Sequence, residues 1–138
     1  MDDIYDVTII GGGPSGLYSA FYAGLRELKT KVIEYKSTLG GKLHVYPEKI
    51  IWDIGGLPAT PAQKVIENLV EQGLTFNPTV CLNTKVDLIT KKEDFFVIET
   101  STGEKHFSKK VVVAIGGGII SPIKLHLEGA EKYEVSNL

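Results

Sequence analysis

The sequence predicts an α/β fold, a parallel sheet flanked by helices with an antiparallel meander set into it. Three observations carry that expectation. An apolar run at 6–10 stops at three consecutive glycines and gives way at once to a helical pattern. A second short run, KVIEY at 31–35, follows that helix, so strand, tight turn, helix and strand fit within about 30 residues, the spacing of a βαβ unit. Farther on, three alternating segments joined by polar turns interrupt the pattern before an apolar run, VVVAI at 111–115, reaches a second glycine cluster.

Each element has a local reason. DVTII (6–10) is β-branched and apolar, as a buried strand requires. Residues 14–28 read as a helix: Pro14 suits a first helical position, and Leu17, Phe21, Leu25 and Leu28 fall on one face. From 37 to 60 the chain is irregular and rich in Gly and Pro, yet it holds Tyr46 and Trp52, unusual in a plain linker. A second amphipathic helix spans 61–74, with Val65, Ile66, Leu69, Val70 and Leu74 at helical spacing, Thr60 as its cap and Pro61 in its first turn. TVCL (79–82) fits a third parallel strand. Segments 84–91, 94–100 and 104–109 form the meander, turning at KKED and STGE. VVVAI has no polar face, which predicts a strand covered on both sides.

The 138 residues predict one domain with a single core. A net charge of −2 excludes the basic face that nucleic acid requires, and the lysines, Lys31 and Lys36 among them, read as solvated surface. Cys81 stands alone, so no disulfide framework or cysteine metal site can form within the chain, and its apolar neighbours place it in the core. The N-terminus, MDDIYD, lacks the basic region of a signal peptide, and no apolar run reaches the roughly 18 residues of a membrane span. These features predict a cytoplasmic protein that meets neither membrane nor nucleic acid. No metal ligand set and no catalytic acid, base or nucleophile stands out; His44, His106 and His126 read as surface or structural residues.

The chemistry lies in the first glycine cluster. Gly11, Gly13 and Gly16 form G-x-G-x-x-G after a strand and before a helix. The first permits the tight turn, the second lets a pyrophosphate approach the backbone, and the third lets helix and strand pack closely. The helix N-terminus then offers free N–H groups and a partial positive charge to phosphates, and Ser15 can add a hydroxyl. Glu34 follows about 20 residues later, at the end of the second strand, where a carboxylate accepts hydrogen bonds from both ribose hydroxyls of an adenosine. It would repel a 2′-phosphate, so the site suits FAD or NAD and disfavours NADP. A Rossmann-like, dinucleotide-binding sheet is the expectation. The second glycine pair, in LGGK (39–42), and the meander favour FAD over NAD.

At this point the chain resembles a family. YDVTIIGGGPSGL (5–17), FYAGLR (21–26), KVIE (31–34), LGGK (39–42), YPEK (46–49), WDIGGLP (52–58), PTVCLN (78–83), VVVAIGGG (111–118) and GAEKYEVSNL (129–138) are similar to the N-terminal part of the thioredoxin-reductase-like ferredoxin/flavodoxin–NADP reductases, which bind two dinucleotides. The resemblance implies a three-layer FAD-binding domain. It implies that Gly11, Gly13, Ser15 and Gly16 hold the pyrophosphate, and that Glu34 holds the ribose. Val86 would lie by the adenine, Lys42 and Tyr46 by the isoalloxazine with Tyr46 stacked on one face, and Gly116 to Ile120 close to the flavin. Pro14, Tyr35 and Gly41 complete the implied set. It further implies NADPH as electron source for the complete protein, a ferredoxin, flavodoxin or thioredoxin-like acceptor, and a homodimer.

Three departures stand out. Lys42 replaces the family's usual Gln, the loop before YPEK is one residue shorter, and Ala114–Ile115 precede Gly116 where a Thr or similar residue is common. Family members are also much longer. The expectation is therefore the N-terminal portion of an FAD domain, incomplete relative to the family, with the NADPH domain and the later FAD segment absent and the isolated chain inactive. The outer edge of VVVAI would then lack a neighbour and be covered by a second copy, by 119–138 or by crystal contacts. A thioredoxin reductase part and a non-catalytic dinucleotide-binding module remain open as alternatives, because small thioredoxin reductases carry their C-x-x-C in the NADPH domain.

Overall fold

The structure, a computed structural model, describes residues 3–119. In chain order it contains β1 (Ile4–Ile10), α1 (Pro14–Leu25), β2 (Thr30–Ile33), a short 3-10 helix (Gly41–Val45), β3 (Ile50–Ile51), β4 (Thr60–Pro61), α2 (Ala62–Gly73), β5 (Thr79–Cys81), β6 (Val86–Lys91), β7 (Phe96–Thr100) and β8 (Lys105–Val113). One six-stranded sheet has the order β5-β2-β1-β8-β7-β6, and β3 and β4 form a separate two-stranded ribbon. β5, β2, β1 and β8 run parallel, while β6, β7 and β8 are antiparallel.

Two apolar clusters make three layers. On one face Val7, Ile9 and Val32 pack with Ala20 and Ala23 of α1. On the other, Ile10 and Ile33 meet Ile98 of β7, with Val86 and Cys81 beside them. Ile98 joins that cluster although β8 lies between β7 and β1 in the sheet; the β6–β7 pairing carries a register shift between Val86 and Leu88. Ile98 is fully buried, so Ile98→Val should cost about 1 kcal/mol. A fall in the urea midpoint at unchanged slope would measure it.

Four expectations need correction. First, α1 ends at Leu25 and turns at Glu27, which has a positive φ of 58°. Its inward face is Gly16, Leu17, Ala20 and Ala23, while Leu25 and Leu28 are exposed. Small residues win because they let the helix lie close to the sheet. Leu17 also packs on α2, where a Cβ on Gly73 would come within 2.8 Å of its Cδ2. Second, Thr60 does not cap α2: it sits in β4 and donates its hydroxyl to the Pro58 carbonyl, leaving Pro61 at the cap position without a side-chain bond. Third, Lys31 is buried, not solvated.

The fourth concerns VVVAI. The third meander segment and this run are one strand, β8. Its first half pairs with β7, Lys105 to Ser108 opposite Glu99 to Phe96, and its second half pairs with β1, through Ile10 opposite Val113. Lys109 and Lys110 interrupt the apolar pattern without interrupting the strand, which stays paired with β1 through Ser108 opposite Tyr5 and Lys110 opposite Val7, while the Lys109 ammonium donates to Asp6 Oδ1 at 2.8 Å. That bond, with the Lys29 amide on the other oxygen, holds the Asp6 carboxyl below the usual range. Val112, Val113 and Ile115 are exposed, Val113 at 61 %, so the strand is not covered on both faces. They form one wall of the cleft described next. The expected open edge is present: among the described residues, 110–113 pair only with β1.

Candidate functional site

A cleft of about 690 Å³ opens at the C-terminal ends of β1, β2 and β8, within the usual size range of small-molecule sites. In an open α/β sheet this is where ligands bind, outside the carboxyl ends of the strands. The turn after β1 forms its floor. Gly11 has φ +106°, and a Cβ there would lie 2.3 Å from the Ala114 carbonyl oxygen. The turn is therefore pressed onto the end of β8, and the Ala114 amide donates to the Ile10 carbonyl at 2.8 Å. Gly16 takes the other close contact, since a Cβ there would come 1.8 Å from the Gly11 oxygen. Gly13, by contrast, meets only the Gly41 Cα at 3.6 Å, so its backbone is open toward the cleft.

α1 begins here with Gly13 at its cap, no side-chain cap bond and no acidic residue in its first turn. The Ser15 and Gly16 amides have no partner within the helix, and the positive end of the helix dipole is left uncompensated. Glu34 lies across from it, just beyond β2, and is 8 % exposed. The Gly12 amide donates to its Oε2 at 2.6 Å and the Lys36 amide to its Oε1 at 2.8 Å. A carboxylate has about four lone-pair positions, so each oxygen keeps capacity for one more donor from the cleft. The Glu34 carboxylate is thus fixed in place by the backbone and still able to bind.

Of the residues singled out from sequence, Gly11, Gly13, Pro14, Ser15, Glu34, Tyr35, Gly41, Lys42, Val86 and Gly116 line the cleft. Gly16 does not; it is buried and serves the close approach of α1 to the turn. Tyr46 also stands outside the lining, exposed at the end of the 3-10 helix. Ile120 lies outside the described residues, as does His126. His44 is structural: its Nε2 lies 2.7 Å from the Leu39 carbonyl oxygen.

Sequence reasoning missed Ser19, Lys36, Thr84, Lys85 and the exposed wall of Val112 and Val113, whereas Ile119 falls in the stretch from Gly116 to Ile120 that it placed near the flavin. Thr84 and Lys85 arrive through a long-range bond, the Thr84 amide to the Glu34 carbonyl at 2.9 Å, for which no local signal exists. Lys85 pairs with Asp87 at 2.7 Å, and that hydrogen bond raises its pKa. A second hollow of about 130 Å³, beside Tyr5 and Phe76, is too small for a cofactor.

Residues 5–138 match the pyridine nucleotide-disulphide oxidoreductase family. Ferredoxin–NADP reductase 1 of Bacillus thuringiensis is 63 % identical over 138 residues, 99 % of this chain and 40 % of that protein. Ferredoxin–NADP reductase 2 of Exiguobacterium sibiricum is also 63 % identical, over 100 % of this chain and 40 % of its own length. The chain thus spans about 40 % of the length of these curated relatives. Among solved structures, thioredoxin reductase from Streptococcus pyogenes superposes with a TM-score of 0.75 at 24 % identity, over 96 % of this chain and 41 % of that one, a likeness of fold.

Proposed function

The chain belongs to the pyridine nucleotide-disulphide oxidoreductase family, and we propose that it is the FAD-binding portion of an NADPH-dependent flavoprotein reductase serving ferredoxin or flavodoxin. The observation that carries this reading is Glu34, a buried carboxylate with two backbone donors and free acceptor capacity, facing a cleft floored by glycines. These residues fit an adenine dinucleotide. Glu34 would accept hydrogen bonds from the adenosine ribose, and its charge rejects a 2′-phosphate. The Ser15 amide and the dipole of α1 would meet the pyrophosphate across the open backbone of Gly13, with Gly16 behind them holding the helix start against the turn. Val86, on the far wall, would pack by the adenine, and the apolar strip from Val112 to Ile119 would face the ring system and keep water from it.

Bound FAD would supply the redox chemistry, taking a hydride's two electrons from NADPH and releasing them to the acceptor. Lys42 stands on the cleft wall at the start of the 3-10 helix. A cation there would favour the reduced, anionic form of a flavin ring placed at that end. NADPH and the acceptor, a ferredoxin, flavodoxin or thioredoxin-like protein, belong to a protein of the relatives' length. The names of the curated relatives support this assignment.

The reading extends to a cytoplasmic homodimer. Among the described residues no helix is long and apolar enough to cross a membrane. The outer side of α1 exposes Tyr18, Tyr22 and Leu25, and the helix carries no charge, a surface suited to contact with a second copy.

The test is direct. Purified chain mixed with FAD and passed through a desalting column should retain a yellow flavin with a shifted visible spectrum, and should not retain NADP. Elution of all the flavin in the free fraction, with the spectrum of free FAD, would overturn the assignment.

A further inference from the structure

β2 and β8 are joined across β1 by a contact the cleft does not use. Lys31 and His106 are 8 % and 4 % exposed, and the Lys31 Nζ lies 3.0 Å from His106 Nδ1. The same ammonium sits 4.2 Å from the centre of the Tyr5 ring. Among the described residues Lys31 has no carboxylate in ion-pair contact. An ammonium can only donate, so Nδ1 must accept, and the imidazole is neutral with its proton on Nε2. Among the described residues that Nε2 is buried without a hydrogen-bond partner.

The titratable and charged groups around the pair come from every neighbouring element. Among the described residues they are Asp3 just before β1, Tyr5 on β1, Lys29 just before β2, Cys81 on β5 and Glu104 in the turn before β8; the Asp3 carboxylate is exposed and already paired with the Lys29 ammonium. The Cys81 thiol is pushed up by burial and is not an anion near neutral pH. Glu104 Oε1 is 3.7 Å from His106 Nε2, beyond hydrogen-bond range, on a largely solvated side chain. A second proton on His106 would therefore set two cations 3.0 Å apart in the interior, offset only by two largely solvated carboxylates, Glu104 beside the imidazole and Asp3, already paired with Lys29, on the side of the ammonium.

We propose that the Lys31–His106 contact is a proton-sensitive latch, which ties β8 and the meander to β2 near neutral pH and releases them when His106 takes up a proton. Burial first, and the Lys31 charge second, hold the His106 pKa below its ordinary value. The folded chain thus binds this proton less tightly than the unfolded chain. The latch is fully engaged above the unfolded value of about 6.5. Its contribution then falls as pH drops below that value, about tenfold in the folding constant per pH unit until the folded-state value is reached. Both latched strands end at the cleft, β2 just before Glu34 and β8 at Val113, so release loosens both of its walls from below.

Urea unfolding of the 138-residue chain at pH 7.5 and 5.5 tests this, with wild type beside His106→Asn. Asparagine offers an acceptor near the Nδ1 position but cannot take up the proton. The wild-type folding constant should fall further than the variant's between the two pH values, by at most about tenfold. Equal pH dependence in the two proteins would overturn the proposal. The imidazole shift of His106, followed by NMR in the folded wild type, needs no variant to fold. A midpoint below 6.5 that rises in Lys31→Met is expected, and a midpoint at or above 6.5 in the wild type, or one unmoved by Lys31→Met, would also overturn it.

Discussion

Gly16→Ala is expected to lower the melting temperature of the chain by about 10 °C, an effect of about 3 kcal/mol. The added methyl would lie 1.8 Å from the Gly11 carbonyl oxygen and 3.0 Å from its carbon. Neither atom can give. Gly11 is itself held between the Ile33 carbonyl, which its amide meets at 2.8 Å, and the backbone of Ala114. Relief requires the first turn of α1 to lift off the β1 turn, which unseats Leu17 from the core and withdraws the Ser15 amide from the cleft. Stability and FAD retention should therefore fall together. Gly55→Ala is the control: a Cβ there meets nothing within 4 Å, so its melt should change by no more than about 0.5 kcal/mol. Equal melting temperatures for the two variants would show that the contact at Gly16 does not constrain the turn.

Gly16 also marks where sequence reasoning works. The β1–turn–α1 segment was legible because its constraints are local: a tight turn and a close helix approach dictate residue types at fixed spacing. The same locality made Glu34 readable, since the strand length sets its distance from Gly11. The inward face of α1 was not, because reading by side-chain size favours Phe21 and Leu25. The glycines instead bring the helix so near that only Ala20 and Ala23 fit against Val7 and Ile9. Lys31 was misread for a different reason. A lysine is a surface residue unless something accepts from it, and its acceptor, His106, is 75 residues away in the chain. Lys36, Thr84 and Lys85 share that difficulty, since their place in the cleft depends on the segment after β5 bonding back to the loop that follows β2, through the Asn83 amide to the Lys36 carbonyl and the Thr84 amide to the Glu34 carbonyl. The fusion of the third meander strand with VVVAI turned on pairing with β1, where Ser108 stands opposite Tyr5, 103 residues earlier.

Glu34→Ala should weaken FAD binding by about ten- to a hundredfold, the loss of charged hydrogen bonds worth about 1.5–3 kcal/mol. The substitution does two things at once. It removes the acceptor offered to the ribose, and it orphans the Gly12 and Lys36 amides that the carboxylate now satisfies at 2.6 and 2.8 Å. A drop in affinity alone could therefore come from a slackened loop. Glu34→Gln does not separate the two, because its single amide oxygen can serve only one of those N–H groups while its NH₂ confronts the other. The ligand can be changed instead. FAD made with 2′-deoxyadenosine lacks one of the hydroxyls that Glu34 would hold, and leaves the loop untouched. In the wild type it should bind about tenfold or more weakly than FAD, since a buried carboxylate loses a donor. In Glu34→Ala the two ligands should bind alike, because the group that reads the difference is gone. A slackened loop predicts the opposite, the same penalty for the deoxy compound in both proteins, and that result would take the ribose away from Glu34 and with it the central support for a dinucleotide in this cleft.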